Sequence, residues 1–573
     1  MRCSVVRARG AGSGYGSGPL ALSIGCRQEH TNLATDSRVA WCCARSGCLV
    51  CHGRRPGCPW FAAPRGRRPL GAVHDATVQT EVRTTAGRVR GVVRGPATVF
   101  LGIPYAAPPF GDRRFAAPEP VEPWEGLRDC VEFGPTALKP PYPAPIAALL
   151  PEPVVPGEEV LNLNVWTPDP GAAGLPVLVW VHGGAFANGS GAVPQYDGTA
   201  FARDGVVTVT INYRLGVDGF LYFGDGGPEN RGLLDQVAAL EWVRDNIAAF
   251  GGDPAQVTVA GESAGGMSVL SLMSMPRAAG LFSRAVAQSG SGHIALTPGT
   301  ATAVADALAE QLGVPRTRAG LAGVPTAELV AAQAALARQI QSQPDPARWA
   351  ELTLNTMAFE PTVDGDVLPG LPVHGLQQGA ATDVDLLIGT NTDEMALFIV
   401  PPGLVDLVDE GLLGMLSGGY GVAPEALQVY RDAQPSASPG QLLIAVGTDW
   451  MFRIPSLRVA EARAQAAGRT HVYEFAWPSP QFGGQIGACH ALEIGFAFDT
   501  LGAEGGAPLA GDAPPQQLAD VVHRAWVDFV TTGDPGWPVY DLDTRPVQVF
   551  GTPSAVVPDP HGDTRRVWEG LRS

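Results

Sequence analysis

Apolar and polar positions divide most of the chain into alternating strand and helix patterns. Residues 161–166 alternate apolar and polar side chains as a strand does, and runs of apolar and β-branched residues predict buried strands over residues 175–182, 206–213 and 257–260. Between the last two strands, residues 232–250 place apolar side chains at helical spacing. This alternation predicts an α/β fold with a mostly parallel central sheet and helices on both faces.

Further elements are predicted on either side of this series. A hairpin and a following strand are expected over residues 82–106, and late strands over 386–389 and 471–477. Alanine- and leucine-rich segments at 300–345 and 402–435 have the composition of helices. Because they interrupt the series of strands, we expect them to be helical cap insertions around a site.

The segment Gly261-Glu262-Ser263-Ala264-Gly265 lies between the strand at 257–260 and an apolar helix predicted at 267–273. A tight strand-to-helix turn brings the two backbones together, and the two glycines remove side chains that would collide. The turn would present Ser263 at a helix N-terminus, where free N–H groups favour a developing negative charge. A plain glycine-rich turn is the alternative in a chain with 72 glycines, but the flanking strand and helix favour a nucleophile elbow.

A serine nucleophile requires a histidine base that is held by a carboxylate. His490 follows a late strand and a glycine-rich loop, which is where a site-facing histidine is expected. His523 lies in an amphipathic helix, where we expect it to be solvated. We therefore predict that His490 is the base. The segment after the strand at 386–389 offers both Asp393 and Glu394 as the acid, and an N-terminal helix position is an alternative role for Asp393.

A glycine turn after the strand at 175–182 predicts the remaining part of such a site. Its sequence, His182-Gly183-Gly184-Ala185-Phe186, places flexible backbone amides at the end of a buried strand. The N–H groups of Gly183, Gly184 and Ala264 are therefore predicted to form an oxyanion hole.

Residues 1–75 differ from everything that follows. They contain seven of the nine cysteines and show no strand or helix periodicity. Residues 48–52 (Cys-Leu-Val-Cys-His) match the haem-attachment pattern, and the cysteines could suggest zinc, but no second ligand pair follows at zinc spacing. The leading apolar stretch is too short for a secretory signal. We interpret residues 1–75 as a disordered or mistranslated extension and residues 76–573 as the catalytic domain.

Charge and hydropathy restrict the classes of partner. Residues 1–70 carry a net charge of +9 and the remainder carries −26, which gives the total of −17. An acidic body argues against nucleic-acid binding and favours a neutral or cationic small substrate. No run of eighteen apolar residues is present, so no membrane span is predicted. The oligomeric state stays open.

Together these motifs resemble the type-B carboxylesterases (carboxylesterase/cholinesterase family) of the α/β-hydrolase fold, and among them the bacterial para-nitrobenzyl-type esterases. The resemblance covers roughly residues 76–570 and rests on FLGIPYAAPPFGDRRF, EEVLNLNVWTP, INYRLGVDGFL, GGDPAQVTVAGESAGG, GTNTDEMALF and ACHALEIGFAF. It implies a serine carboxylic-ester hydrolase with Ser263 as nucleophile, Glu394 as acid and His490 as base, without a cofactor or metal. It also implies buried carboxylates beside the triad and two structural ion pairs: Glu262, Glu493, Arg114 with Glu158, and Arg214 with Asp235.

The chain departs from the family pattern at a disulfide. Ala137 and Val160 stand where the family has cysteines. Cys130 and Cys489 are then expected to be free thiols, which suits a reducing cytoplasm, although secretion stays possible if the true start or a signal differs. Met395 replaces a glycine that is common after the acid.

The segment that corresponds to the disulfide loop, residues 139–157, suggests the substrate. Its only aromatic residue is Tyr142, and it lacks the tryptophan on which cholinesterases hold a quaternary ammonium. We therefore expect neutral esters of short to medium acyl chains to be cleaved through an acyl-enzyme. The alternatives are a specialised hydrolase of carbamates, lactones or amides with the same triad, and a non-catalytic adhesion protein of cholinesterase-like fold.

Overall fold

The computed structural model describes residues 79–503 and 505–572, and in this part of the chain thirteen strands form one sheet. The strands are β1 (Gln79–Arg83), β2 (Arg88–Arg94), β3 (Ala97–Pro104), β4 (Leu127–Asp129), β5 (Asn162–Thr167), β6 (Leu175–Val181), β7 (Val207–Ile211), β8 (Gly252–Glu262), β9 (Arg284–Gln288), β10 (Asp385–Asn391), β11 (Thr470–Phe475), β12 (Pro546–Phe550) and β13 (Ala555–Pro558). The predicted extension at residues 1–75 lies outside the described residues.

The sheet is parallel in its centre and antiparallel at its ends. Its order is β1-β2-β3-β5-β7-β6-β8-β9-β10-β11-β12-β13, with β4 beside β2. All neighbours from β7 to β12 pair in parallel. The strands β5, β7 and β9 are buried almost throughout, as are the inner parts of β6 and β8, because helices cover the central sheet. The predicted mostly parallel sheet with flanking helices is confirmed.

The same part of the chain contains nineteen α-helices. They are α1 (Ala144–Ala147), α2 (Thr199–Arg203), α3 (Gly216–Phe220), α4 (Arg231–Asn246), α5 (Ala264–Ser274), α6 (Pro298–Leu312), α7 (Arg318–Ala322), α8 (Thr326–Ser342), α9 (Pro346–Trp349), α10 (Leu352–Asn355), α11 (Pro372–Gln377), α12 (Ala396–Ile399), α13 (Glu410–Gly419), α14 (Leu427–Ala433), α15 (Pro439–Thr448), α16 (Ile454–Ala462), α17 (Ile494–Ala497), α18 (Gln516–Thr532) and α19 (Gly562–Val567). Helices α6 to α8 and α13 to α14 fall in the two segments predicted as insertions. No helix within the described residues is both long and apolar enough to cross a lipid bilayer.

Two expectations about buried side chains, an ion pair and two free thiols, are correct. Arg214 and Asp235 form a buried ion pair with 2.7 Å between Nη2 and Oδ1. Cys130 and Cys489 are both buried free thiols. Burial raises the pKa of the Cys130 thiol to about 12, so this thiol stays protonated at neutral pH.

Two other expectations are wrong. Arg114 pairs with Asp218 of α3, at 2.9 Å between Nε and Oδ1, rather than with Glu158. His523 is buried rather than solvated: its Nδ1 lies 2.7 Å from the Ala497 carbonyl oxygen and its Nε2 lies 3.0 Å from Asp204. His523 belongs to the buried face of α18, so the amphipathic helix turns this histidine inward.

Candidate active site

The turn between β8 and α5 presents one residue, Ser263, in a strained conformation. Strand β8 ends at Glu262 and α5 begins at Ala264, while Ser263 has φ 57° and ψ −123°. Positive φ is costly for a residue with a side chain and is a mark of functional turns. A Cβ atom at Gly265 would lie 2.0 Å from the Val181 carbonyl oxygen. The close approach inferred from the sequence is therefore present, and it requires glycine.

The imidazole of His490 contacts the carboxylate of Glu394. His490 Nδ1 lies 2.6 Å from Glu394 Oε2, and both side chains are buried. The other oxygen, Oε1, accepts hydrogen bonds from the Ser289 hydroxyl at 2.6 Å and from the backbone N–H of Asn391 at 2.7 Å. These two donors fix the orientation of the carboxylate against the imidazole ring. Sequence reasoning missed Ser289, because no motif marks a serine that donates to the acid from the end of a neighbouring strand.

Asp393, the other acid that the sequence left open, binds backbone instead of the imidazole. Its Oδ2 accepts the Ala488 N–H at 3.0 Å, and its own N–H donates to the Ala488 carbonyl oxygen at 2.9 Å. Asp393 therefore holds the loop that carries His490, while Glu394 contacts the ring.

Two further carboxylates lie beside this pair, at the positions that the resemblance implies. Glu262 Oε1 lies 3.1 Å from His490 Nε2. Glu493 accepts hydrogen bonds from Gln288 at 3.0 Å and from the Asn391 side chain at 2.6 Å. Both are buried. In the described part of the chain, no group of three or more His, Cys, Asp and Glu side chains is arranged to hold a metal ion.

The cluster of carboxylates controls the proton affinity of the imidazole. Burial lowers the pKa of His490, but the charges of Glu262 and Glu394 outweigh burial and raise this pKa to about 9. Burial raises the pKa of Glu262 to about 8, with His490 acting in the opposite direction. Burial likewise raises the pKa of Glu493, and Glu394 adds to the effect. The site therefore holds protons more tightly than the isolated groups would.

The glycine turn after β6 lies against the serine. A Cβ atom at Gly183 would lie 3.1 Å from the Cβ of Ser263. Among the described residues, the N–H groups of Gly183 and Gly184 have no hydrogen-bond acceptor. His182, which precedes them, stacks on Tyr213 with 4.5 Å between ring centres. Burial lowers the pKa of His182 to about 3, so its ring is neutral. The turn can thus offer the N–H groups of Gly183 and Gly184 as hydrogen-bond donors. The neighbouring ring of His182 adds no positive charge.

Two aromatic rings from the helical insertion that follows β10 border the imidazole. The ring centres of Phe398 and Phe452 lie 5.3 Å and 4.8 Å from that of His490. Phe398 belongs to α12 and is 39% exposed, whereas Phe452 is buried in a π-helical turn, Asp449–Arg453. Sequence reasoning missed both rings, because nothing in the local pattern shows that this insertion folds back to the site.

Comparisons with known proteins agree with this architecture. A model described as the carboxylesterase family matches residues 78–550. Para-nitrobenzyl esterase of Bacillus subtilis (strain 168) is 37% identical over 503 residues, which cover 85% of this chain and 97% of that protein. Phenmedipham hydrolase of Pseudarthrobacter oxydans is 36% identical over 489 residues, covering 83% of this chain and 95% of that protein.

Solved structures give the same result. A carboxylesterase of Geobacillus stearothermophilus, determined at pH 6.2, has a TM-score of 0.75 and 38% identity, and the match covers 85% of this chain and all of that chain. A para-nitrobenzyl esterase structure has a TM-score of 0.74 and 35% identity, with 85% and 99% covered. The sheet and its helices therefore form an α/β-hydrolase fold. The chain belongs to the carboxylesterase family, and the protein is a carboxylic ester hydrolase.

Proposed function

We propose that Ser263 is the nucleophile of this esterase, His490 its general base and Glu394 the acid that orients the base. The observation that carries the proposal is the 2.6 Å contact between His490 Nδ1 and Glu394 Oε2, in a buried cluster that includes Glu262, the residue before Ser263. A carboxylate at Nδ1 selects the tautomer whose Nε2 is free to accept a proton. The strained turn at Ser263 supports its role, since it exposes a serine at a helix N-terminus.

The reaction follows from these positions. His490 Nε2 takes the hydroxyl proton while Oγ of Ser263 bonds to the ester carbonyl carbon, and the carbonyl π electrons move to oxygen. We propose that the N–H groups of Gly183, Gly184 and Ala264 bind the resulting oxyanion. His490 then gives its proton to the alcohol oxygen as the ester bond breaks. Water repeats the sequence on the acyl-enzyme and releases the carboxylic acid.

Replacing Ser263 tests the nucleophile. Ser263→Ala is expected to reduce kcat on p-nitrophenyl acetate by several powers of ten, because triad residues act as a unit. Ser271→Ala in α5 is the matched control: its hydroxyl only donates to the Met267 carbonyl oxygen within the helix, so activity should stay near wild type. A Ser263→Ala variant that keeps more than a few per cent of kcat contradicts the assignment.

We further propose neutral esters of short to medium acyl chains as substrates. The exposed ring of Phe398 and the buried ring of Phe452 support this, because they offer apolar contact next to the imidazole. The composition of segment 139–157 also supports apolar substrates, because the segment is rich in proline, alanine and leucine and has Tyr142 as its only aromatic residue. A series of p-nitrophenyl esters of graded acyl length would locate the optimum, and a maximum at long chains would contradict the proposal.

Choline esters should gain nothing over neutral esters. Segment 139–157 offers no tryptophan face for a quaternary ammonium. The acidic surface acts only over about 8 Å at physiological salt. Glu262, with a raised pKa, is a weak fixed anion at neutral pH. A kcat/KM for butyrylcholine about tenfold above that of a neutral butyrate ester of similar leaving-group reactivity would refute this expectation.

We also propose that residues 76–573 form the catalytic unit and that the enzyme works in the cytoplasm. The free, buried thiols Cys130 and Cys489 support a reducing compartment. Fractionation of cells that express the full chain with a C-terminal tag tests the location. Recovery of the activity outside the cytoplasmic fraction would overturn it.

A further inference from the structure

The only lysine of the sequence, Lys139, is buried in a salt bridge. Its Nζ lies 2.6 Å from Glu152 Oε1, and the two side chains are 1% and 14% exposed. Burial lowers the pKa of Lys139, and the Glu152 carboxylate acts against burial. Lysine is seldom buried without a partner, and here Glu152 is that partner. The other contacts of the two side chains indicate what the buried pair does.

Both members of the pair bind the backbone of one residue, Gly189. The Lys139 ammonium donates to the Gly189 carbonyl oxygen at 2.9 Å, and Glu152 Oε2 accepts the Gly189 N–H at 3.1 Å. The neighbouring side chain, Asn188, donates to the Pro140 carbonyl oxygen at 2.6 Å. The ion pair and its surroundings thus tie segment 139–157 to residues 188–189.

Gly189 in turn packs directly on the glycine turn of the site. A Cβ atom at Gly189 would lie 2.2 Å from the Gly183 carbonyl oxygen and 2.3 Å from His182 Nδ1. The Gly184 carbonyl oxygen accepts the N–H groups of Ala187 and Asn188. Ala185 and Phe186, which have φ of 53° and 58°, give this turn a backbone conformation that is costly for non-glycine residues and that surrounding contacts must hold. A shift of Gly189 would therefore move the Gly183 and Gly184 amides.

We propose that Lys139 and Glu152 are positioning residues that hold the turn at 182–189 in the geometry that binds the oxyanion. They act through Gly189 and do not touch the substrate. The inference rests on the proposed function, since it takes Gly183 and Gly184 as oxyanion donors. Ala137 and Val160 stand at the two ends of segment 139–157 where a disulfide is absent, so the segment depends on non-covalent contacts of this kind.

Stability alone does not explain the pair. Replacing a buried ion pair by apolar residues of similar volume is often neutral or stabilising, whereas removing one partner leaves an uncompensated charge. The double variant Lys139→Met/Glu152→Leu therefore separates the two roles. It removes every charge and donor of the pair and leaves the Gly189 N–H and carbonyl without these partners, so it is expected to fold with a melting temperature lowered by several degrees.

The double variant should lose kcat rather than substrate affinity. Loss of one oxyanion donor costs about 100- to 1000-fold in kcat, so a displaced turn is expected to cost about tenfold or more while KM changes less than about threefold. Affinity for a trifluoromethyl ketone, which forms a tetrahedral adduct with the serine, should fall by the same factor as kcat/KM. Arg458→Met is the control, because it also removes an arginine that pairs with a carboxylate, here Glu461. Glu461 keeps its second partner, Arg545, at 2.6 Å between Oε1 and Nη1, so kcat of this variant should stay at the wild-type value.

Wild-type kcat in a folded double variant would overturn the proposal, as would a rise in KM alone. Amide hydrogen exchange gives a readout that does not depend on activity: exchange of the peptide covering residues 182–191 should be faster in the double variant than in wild type. If the double variant does not fold, Glu152→Gln is measured in the same way, and unchanged exchange and kcat there would also overturn the proposal. An active Ser263→Ala variant, in contrast, contradicts the proposed function and leaves the exchange result standing.

Discussion

The carboxyl group of Glu262 should set the pH at which the enzyme becomes active. It lies 3.1 Å from His490 Nε2, the nitrogen that must be unprotonated to act as a base. Burial lowers the pKa of His490, and the largest single effect that raises this pKa is the charge of Glu262. The substitution Glu262→Gln keeps the size of the side chain and removes its charge.

The size of the effect follows from the distance. Two unit charges 3.1 Å apart interact by about 5 kcal/mol at an effective dielectric constant of about 20, which corresponds to about four pH units. Burial raises the pKa of Glu262 to about 8, which is below the value of about 9 for His490, so the carboxyl is mostly ionised in the pH range where the imidazole titrates. We therefore expect the pKa of His490 to fall by about one pH unit or more in Glu262→Gln.

The acid limb of the pH profile measures this shift. The pH dependence of kcat/KM reports ionisation in the free enzyme, so its lower midpoint should move to lower pH in Glu262→Gln. Glu493→Gln is the control: Glu493 contacts Gln288 and Asn391, and it comes last among the groups that raise the pKa of His490, so a smaller shift is expected. If turnover becomes too slow, the pH dependence of serine labelling by a fluorophosphonate reports the same base.

An unchanged midpoint, or a midpoint that moves to higher pH, would refute the reasoning. Either result would mean that the carboxyl of Glu262 is not ionised when His490 titrates. A larger shift in Glu493→Gln than in Glu262→Gln would show that the contact at Nε2 is not the dominant one.

Three further predictions concern the acid of the triad, a buried ion pair and the N-terminal residues. Glu394→Gln should lose much of kcat because the imidazolium loses its counter-charge, whereas Asp393→Asn should be far milder because an amide can still accept the Ala488 N–H; equal losses would contradict this. Arg214→Met should lower the free energy of unfolding by about 3–5 kcal/mol, since it leaves Asp235 buried and unpaired, and a loss below 1 kcal/mol in urea denaturation would be inconsistent with it. Removing residues 1–74 should leave kcat and the melting temperature almost unchanged, and a fall of more than a few degrees would count against treating residues 76–573 as the catalytic unit.

Local patterns determined a large part of this protein. The strands β6 to β8 and the helices α4 and α5 follow from apolar runs and helical spacing, because burial on both faces of the parallel part of the sheet requires apolar residues. Gly261 and Gly265, on either side of Ser263, predict the close approach of β8 and α5, because a side chain at either position would collide with the backbone. The strand β9 was not predicted, because its five residues, Arg-Ala-Val-Ala-Gln, contain only one β-branched residue and no apolar run of strand length.

Only the tertiary structure decided which side chains meet. Asp393 and Glu394 are neighbours in sequence, and their different directions depend on the loop that packs against them. Arg114 binds Asp218 across 104 residues, and no spacing rule predicts that contact. The burial of Lys139 against Glu152 and Gly189 likewise follows from how a proline-rich segment folds over the glycine turn. Local sequence specifies backbone conformation and burial, whereas partners far apart in the chain are selected by the packing of the whole sheet and its insertions.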